Sequence, residues 1–157
     1  PALQFYGANH IKSAAISAPS PPWTTIVVFR CTAITGVLQR ITRGGPLGLI
    51  GIIPDNNFYV YAGVNLVIGA ADTKTHIIMG VFNGASSEAW LDGVLKASGD
   101  AGISTGGILG IGAGDGPIQG FWGFESALIN LNYIPTAQER VCINRYLSRR
   151  YGVALAA

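Results

Sequence analysis

Apolar residues run through this chain in short bursts that end on glycine, proline or asparagine. The burst Trp23 to Thr32, "WTTIVVFRCT", is rich in β-branched and aromatic residues and too continuous to be one-sided, so it predicts a central strand buried on both faces. "GVLQRITRGG" reads as strand then turn, "LGLIGII" as strand, and "PDNN" at 54–57 as a tight turn. In "FYVYAGVNLVIGA" the alternation puts Phe58, Val60 and Ala62 on one face and Tyr59 and Tyr61 on the other. "THIIMGVFNG" and "EAWLDGVLKASG" predict strands joined by "NGASS", with Asp92-Gly93 as the next turn and "ILGIGAG" as a further strand. "GFWGFESALIN" predicts a mostly buried strand with Trp122, Phe124, Ser126 and Leu128 on one face. Near the start, "ALQFYG" reads as a short strand, and "KSAAISAPSPPW" as a loop running into the prolines at 19, 21 and 22.

The period changes only at the end. Thr136 followed by Glu139 is a capping box with Pro135 just before it, so a helix over about 136–151 is specified locally and Gly152 supplies its stop. Cys142, Ile143, Tyr146 and Leu147 form its apolar stripe, and only the sheet is left for that stripe to cover. Short strands at this spacing, followed by one helix, predict an all-β fold. The expected architecture is a two-sheet antiparallel jelly-roll sandwich with one C-terminal amphipathic helix, in a single domain over 1–157.

Composition narrows the function classes. Charged residues are 11% of the chain against a usual value of about 25%, and hydrophobic residues are 49%. The longest apolar stretches, "PLGLIGII" and "LVIGAA", are far shorter than the roughly 20 residues of a spanning helix, so no membrane insertion is expected. A net charge of +2 gives little long-range field and no reason to expect nucleic acid. Arg140, Arg145, Arg149 and Arg150 lie at scattered angles around the final helix, and two of them fall in its last turn, where cations complement the helix dipole. Cys31 and Cys142 belong to no metal-binding spacing and are expected to be free thiols; no cofactor or metal is expected. No secretory leader is apparent, and Pro1 suits a chain from which an initiator methionine has been removed.

Two passages together resemble the concanavalin A-like, laminin-G-like jelly rolls of phage and bacterial surface proteins. One is "THIIMGVFNGASSEAWLDGVLKASG", Thr75 to Gly99; the other is "GFESALINLNYIPTAQERVCINRYLSRRYG", Gly123 to Gly152, similar to the family's last strand and Tyr-Leu…Tyr-Gly helix. "LQFYGANH" also matches the family's opening strand and turn. Where the family's last strand often carries a glutamate and a tyrosine, this chain has Ala127 and Leu131; Glu125 lies two residues too early. The resemblance is one of fold more than of chemistry.

The fold most readily suggests glycoside hydrolysis, which needs two carboxylates about 5 to 10 Å apart across a groove. The E-x-D-x-E array of the family's retaining glucanases is absent, and Glu88 and Asp92, four strand residues apart, are separated by about 13 Å. Asp92 reads as a turn residue. His10 and His76 are the available histidines, without a G-x-S-x-G elbow, and His76 reads as a satisfied core or edge residue. "GIGAGDG" at 110–116 lacks the lysine of a phosphate loop, and Asp72, Asp100 and Asp115 are isolated carboxylates in separate loops. The remaining expectation is a non-catalytic binding or decoration module. It would be displayed on a virion, extracellular or cell surface, with a glycan or polysaccharide and self-association or a larger assembly as partners. Its candidate ligand face is Asp55, Asn56, Asn57, Tyr59 and Tyr61, with Trp23 and Trp90 as further aromatic material. The alternatives are a purely structural virion assembly or decoration protein and a glycoside hydrolase.

Overall fold

The computed structural model describes residues 2–6, 11–15, 21–44, 48–103, 108–112 and 120–155. His10, Asp115 and most of "GIGAGDG" lie outside the described residues. The strands are β1 (Leu3–Tyr6), β2 (Ile11–Ala15), β3 (Trp23–Cys31), β4 (Gln39–Gly44), β5 (Gly48–Ile52), β6 (Asn57–Tyr61), β7 (Asn65–Ala70), β8 (Thr75–Phe82), β9 (Ser87–Leu91), β10 (Val94–Gly99), β11 (Ile108–Ile111) and β12 (Trp122–Leu131). A single helix, α1 (Ala137–Tyr151), follows them. Two six-stranded sheets, ordered β1-β12-β3-β8-β9-β10 and β2-β11-β4-β5-β6-β7, are paired antiparallel throughout. This is the jelly-roll sandwich that the strand spacing predicts.

β3 is central because both of its faces are covered. Val27, Phe29 and Cys31 point between the sheets, where they meet Ile41, Ile50 and Phe58, while Ile26 and Val28 point outward to Ile77, Met79 and Leu147. The helix therefore covers the outer face of the first sheet and makes a second, smaller core.

Local chemistry sets the ends of α1. Thr136 Oγ1 accepts from the Glu139 N–H at 3.2 Å, and the Glu139 carboxylate accepts from the Thr136 N–H at 2.7 Å. Gly152 closes the helix in a left-handed conformation, with φ of 70°. Thr136→Ala is expected to cost about 1 kcal/mol and to fray the first turn, read as faster amide exchange at Glu139.

Three expectations need correction. Residues 12–15, expected to begin a loop, belong to a strand with Ile11; Ile11 and Lys12 pair with Ile111 and Gly110. The buried stripe of α1 is Ile143, Asn144, Leu147 and Tyr151, while Cys142 and Tyr146 face solvent, because the helix is turned so that Leu147 sits over β3 and β8. On β12 the register shifts between Glu125 and Ala127, and this bulge breaks the assumed parity. Trp122 and Tyr6, directly opposite each other, stay exposed on the outer face, whereas Leu128 packs in the inter-sheet core.

Candidate functional site

The alternation in β6 places its side chains as the sequence predicts: Phe58 and Val60 enter the core, and Tyr59 and Tyr61 stand on the outer face of the second sheet. Tyr59 pairs with Gly51 on β5 and Val67 on β7; Tyr61 pairs with Leu49 and Asn65. Their rings meet edge to face, with centroids 6.5 Å apart and planes at 65°. Together with Leu38, Arg40, Ile53, Pro54 and Asn65 they line a depression of about 320 Å³. This volume is at the small end of ligand sites, which span about 300–1,000 Å³.

Within this depression the two tyrosines differ. The Tyr59 ring lies over Gly51, where a Cβ would come within 3.0 Å of Tyr59 Cε1, and the residue is only 2% exposed. Burial pushes its phenol well above the usual range, while Arg40 pulls it the other way. Tyr59 is thus the floor of the site, and half-buried Tyr61 and exposed Asn65 form its reachable rim.

Asp55, Asn56 and Asn57 do not line the depression; they build the turn beside it. Asp55 Oδ1 accepts from the Asn57 N–H at 3.3 Å, and Asn57 Nδ2 donates back to the Asp55 carbonyl at 3.4 Å. Asn56, left-handed at φ 62°, accepts from the Gly36 N–H at 3.1 Å and so ties this turn to the 33–37 loop. Trp23 is buried against Phe82 and Trp90 is held under the helix, so neither reaches this face. Sequence reasoning missed Arg40, Leu38 and Asn65, whose arrival depends on the pairing of β4 to β7.

The acidic residues have other tasks. His76 lies between two carboxylates, with Nδ1 2.7 Å from Asp92 and Nε2 2.8 Å from Asp72. With both neighbours ionised and able only to accept, a protonated ring can donate from both nitrogens. Burial pulls the His76 pKa down, but the two carboxylates outweigh it and leave it raised. Asp72, expected to be isolated, is therefore a partner of His76; burial pushes its carboxyl up, and the Lys74 backbone N–H and His76 outweigh that and hold it low. Glu88 accepts from Trp90 Nε1 at 3.0 Å, Asp100 from the Gly102 N–H at 2.7 Å, and Glu139 serves the capping box. Asp92 lies beyond β9 in its Gly93 turn and also accepts from the Ile77 N–H at 2.8 Å.

Among the described carboxylates Glu125 has neither oxygen bonded, although it is 4% exposed, and burial raises its pKa to about 8. Cys31 is a buried free thiol, pushed up to about 12 by burial with a further push from Asp72, and Cys142 is free and exposed. Among the described residues, no cluster of three or more His, Cys, Asp or Glu side chains is arranged to hold a metal ion, and no helix is long and apolar enough to cross a membrane.

No family model matches the sequence, and no curated protein matches it. Solved structures do match the fold. Domain 4 of AbnA, an extracellular GH43 arabinanase from Geobacillus stearothermophilus in complex with arabinotriose, superposes with a TM-score of 0.68 at 12% identity, over 91% of this chain and 76% of that one. A SAP-like pentraxin from Limulus polyphemus gives 0.67 at 14%, over 90% and 80%. A putative carbohydrate binding protein from Bacteroides ovatus gives 0.69 at 14%, over 87% and 44%. Trypanosoma rangeli sialidase gives 0.61 at 13%, and there the chain spans only 23% of the enzyme. The chain has the concanavalin-like jelly-roll fold of these domains.

Proposed function

We propose that this protein is a non-catalytic carbohydrate-binding module displayed on a surface, in the finer reading that of a phage virion. The observation that carries the binding reading is the outer-face depression, where Tyr61 and Asn65 stand beside Arg40 over a buried Tyr59 floor. Aromatic rings for stacking and a few polar groups for hydroxyls are what a sugar site needs. The carbohydrate-binding description of the Bacteroides ovatus neighbour and the arabinotriose bound by the Geobacillus domain support the same class. The non-catalytic reading is supported by the described carboxylates, which, Glu125 apart, are committed to His76, the Trp90 indole, turns or caps. Glu125 has no acidic neighbour among the residues lining the crevice beside it.

A broad glycan array tests the reading. Specific binding is expected, falling roughly tenfold or more in Tyr61→Ala and in Asn65→Ala, with each variant still folded. Tyr59→Ala is unsuitable, because removing the buried floor perturbs the sheet. Silence across the array moves the reading to assembly, which one observation favours: Tyr6 and Trp122 leave an exposed aromatic pair, 56% and 41% accessible, on the outer face of the first sheet.

A further inference from the structure

Glu125 is a buried carboxyl, 4% exposed, and neither of its oxygens has a hydrogen-bond partner. Its place in the fold does not require an acid. It lies opposite Leu3 of β1 and Phe29 of β3, and the ladder uses its backbone alone. Phe29 points between the sheets, so Glu125 shares that inner face. An apolar side chain would sit there at less cost, because a buried carboxyl without a partner loses its hydration and gains no bond. A polar group kept where the fold gains nothing from it calls for another role.

The sandwich is open at the same place. Among the described residues β1 pairs with β12 from Tyr6 opposite Trp122 to Leu3 opposite Glu125, whereas β12 runs on to Leu131 with β3 alone as its partner. The β12 bulge falls at this point: Glu125 and Ala127 pair with Phe29 and Val28, and Ser126 is the extra residue. A crevice of about 340 Å³ opens there, with Leu3, Ile111, Ser126, Leu128 and Glu125 among its walls. Ile111 belongs to the other sheet, so the crevice is bounded by both sheets. Its volume is that of a small ligand site. The walls are mainly apolar, Ser126 supplies a hydroxyl, and among the described residues Glu125 is the one ionisable side chain of the lining. The depression at Tyr61 is a separate place, on the outer face of the second sheet.

We infer that this crevice binds a small organic cation, a primary ammonium carried on an apolar body, with Glu125 as its counter-ion. The ammonium donates to the carboxylate, Ser126 offers a further acceptor at the wall, and Leu3, Ile111 and Leu128 enclose the apolar body. Glutamate turns about its side-chain torsions, which brings the carboxyl to the crevice it borders without a change in strand pairing. In the free protein burial holds the carboxyl protonated up to about pH 8. On binding, its proton passes to the buffer and the ammonium takes that place beside the carboxylate. Leu3, Phe29 and Ile111, which face Glu125 from β1, β3 and β11, do not titrate; His76 lies against Phe29, 6.2 Å between ring centroids, and is not part of the lining. An anion would find no cation among the described walls, and a calcium ion would need more oxygen ligands than one carboxylate and one hydroxyl supply.

Calorimetric titrations with n-hexylamine, 1-hexanol and hexanoate between about pH 6 and 8 test this. n-Hexylammonium should bind with release of about one proton near pH 6, seen as a heat that depends on the ionisation enthalpy of the buffer. Its affinity should rise roughly tenfold between about pH 6 and 7, where the free carboxyl is mostly protonated. At about pH 8, 1-hexanol should bind at least tenfold more weakly, without proton release, and hexanoate should not bind. Glu125→Gln should stay folded and lose about tenfold or more in ammonium affinity together with the proton release. Tyr61→Ala should change neither. Nα-acetyl-lysinamide binding more tightly than n-hexylamine assigns the cation to a lysine side chain of a protein, and weaker binding assigns it to a free amine. Failure of n-hexylamine to bind, equal binding of 1-hexanol, binding without proton release near pH 6, unaltered affinity in Glu125→Gln, or loss of affinity in Tyr61→Ala overturns the inference. The carbohydrate reading is untouched by any of these, since its glycan array is read at Tyr61 and Asn65.

Discussion

Phe29→Ala is expected to lower the unfolding free energy by about 3–5 kcal/mol, read from the midpoint of a urea transition followed by tryptophan fluorescence. Phe29 is fully buried on β3 and is the ring through which the two sheets meet. It packs edge-on to Phe58 of β6, with centroids 5.4 Å apart at 82°, and to Phe121, 6.2 Å away at 74°. His76 lies against the same ring at 6.2 Å, so the truncation also strips one wall from that imidazole and its two carboxylates. No short loop can collapse into the space, because the surrounding strands are held by their ladders, and the cavity term adds to the transfer term. Phe29→Leu should recover more than half of the loss. A loss below about 1.5 kcal/mol would mean that the inter-sheet core is not packed around this ring.

How much of this was legible in the sequence depends on how far each feature is local. β3 was legible because a strand covered on both faces has no polar side to interrupt it, and the structure supplies both covers in Phe58 and Leu147. The helix ends were legible because Thr136, Glu139 and Gly152 act within one turn of themselves. The bulge on β12 was not, since nothing in "GFESALIN" marks an extra residue, and one uncounted residue reverses every later side chain. β2 was hidden by its small residues and Lys12, which carry no strand propensity and take their conformation from β11.

The candidate site divides the same way. That Tyr59 and Tyr61 share a face follows from their spacing alone. That Tyr59 is the floor and Tyr61 the rim follows from Gly51, which sits eight positions away in sequence and directly opposite in register. The turn residues had a second, stronger claim on their polar atoms, because Asp55, Asn56 and Asn57 must satisfy the backbone of the turn they create. The pairing of His76 with Asp72 and Asp92 spans two different turns, and only the fold brings those turns to one end of β8. Local rules therefore placed Tyr59 and Tyr61 on one face of β6 but did not show that the polar groups of Asp55, Asn56 and Asn57 are used within and beside their own turn.

The native protein is expected to lose stability as the pH rises from about 4.5 toward 8, and Glu125→Gln is expected to escape most of that loss. The carboxyl ionises near its ordinary 4.5 in the unfolded chain, whereas burial raises it to about 8 in the folded one. Between these limits the unfolded state holds fewer protons than the folded state, so unfolding becomes easier with rising pH, by about 1.4 kcal/mol per pH unit. Over the whole interval this amounts to about 4–5 kcal/mol, a large share of a typical domain's total of about 5–15. Among the described residues, no other charged side chain lines the crevice beside Glu125: its walls are Ala2, Leu3, Ile111, Ser126, Ala127 and Leu128. His76 tilts the curve the same way, since its raised pKa brings stability that is complete below the ordinary histidine value and lost as the pH passes the folded one. Asp72, held low, contributes stability that disappears only on acidification. Urea titrations near pH 4, 6 and 8 should give nearly coincident midpoints for native protein and Glu125→Gln at the lowest pH, where the Glu125 carboxyl is mostly protonated in both the folded and the unfolded state, and a gap that widens upward. Coincident midpoints at every pH would instead mean that Glu125 reaches water or a counter-ion in the folded state, and a constant non-zero gap would assign the difference to shape and hydrogen bonding, not to ionisation.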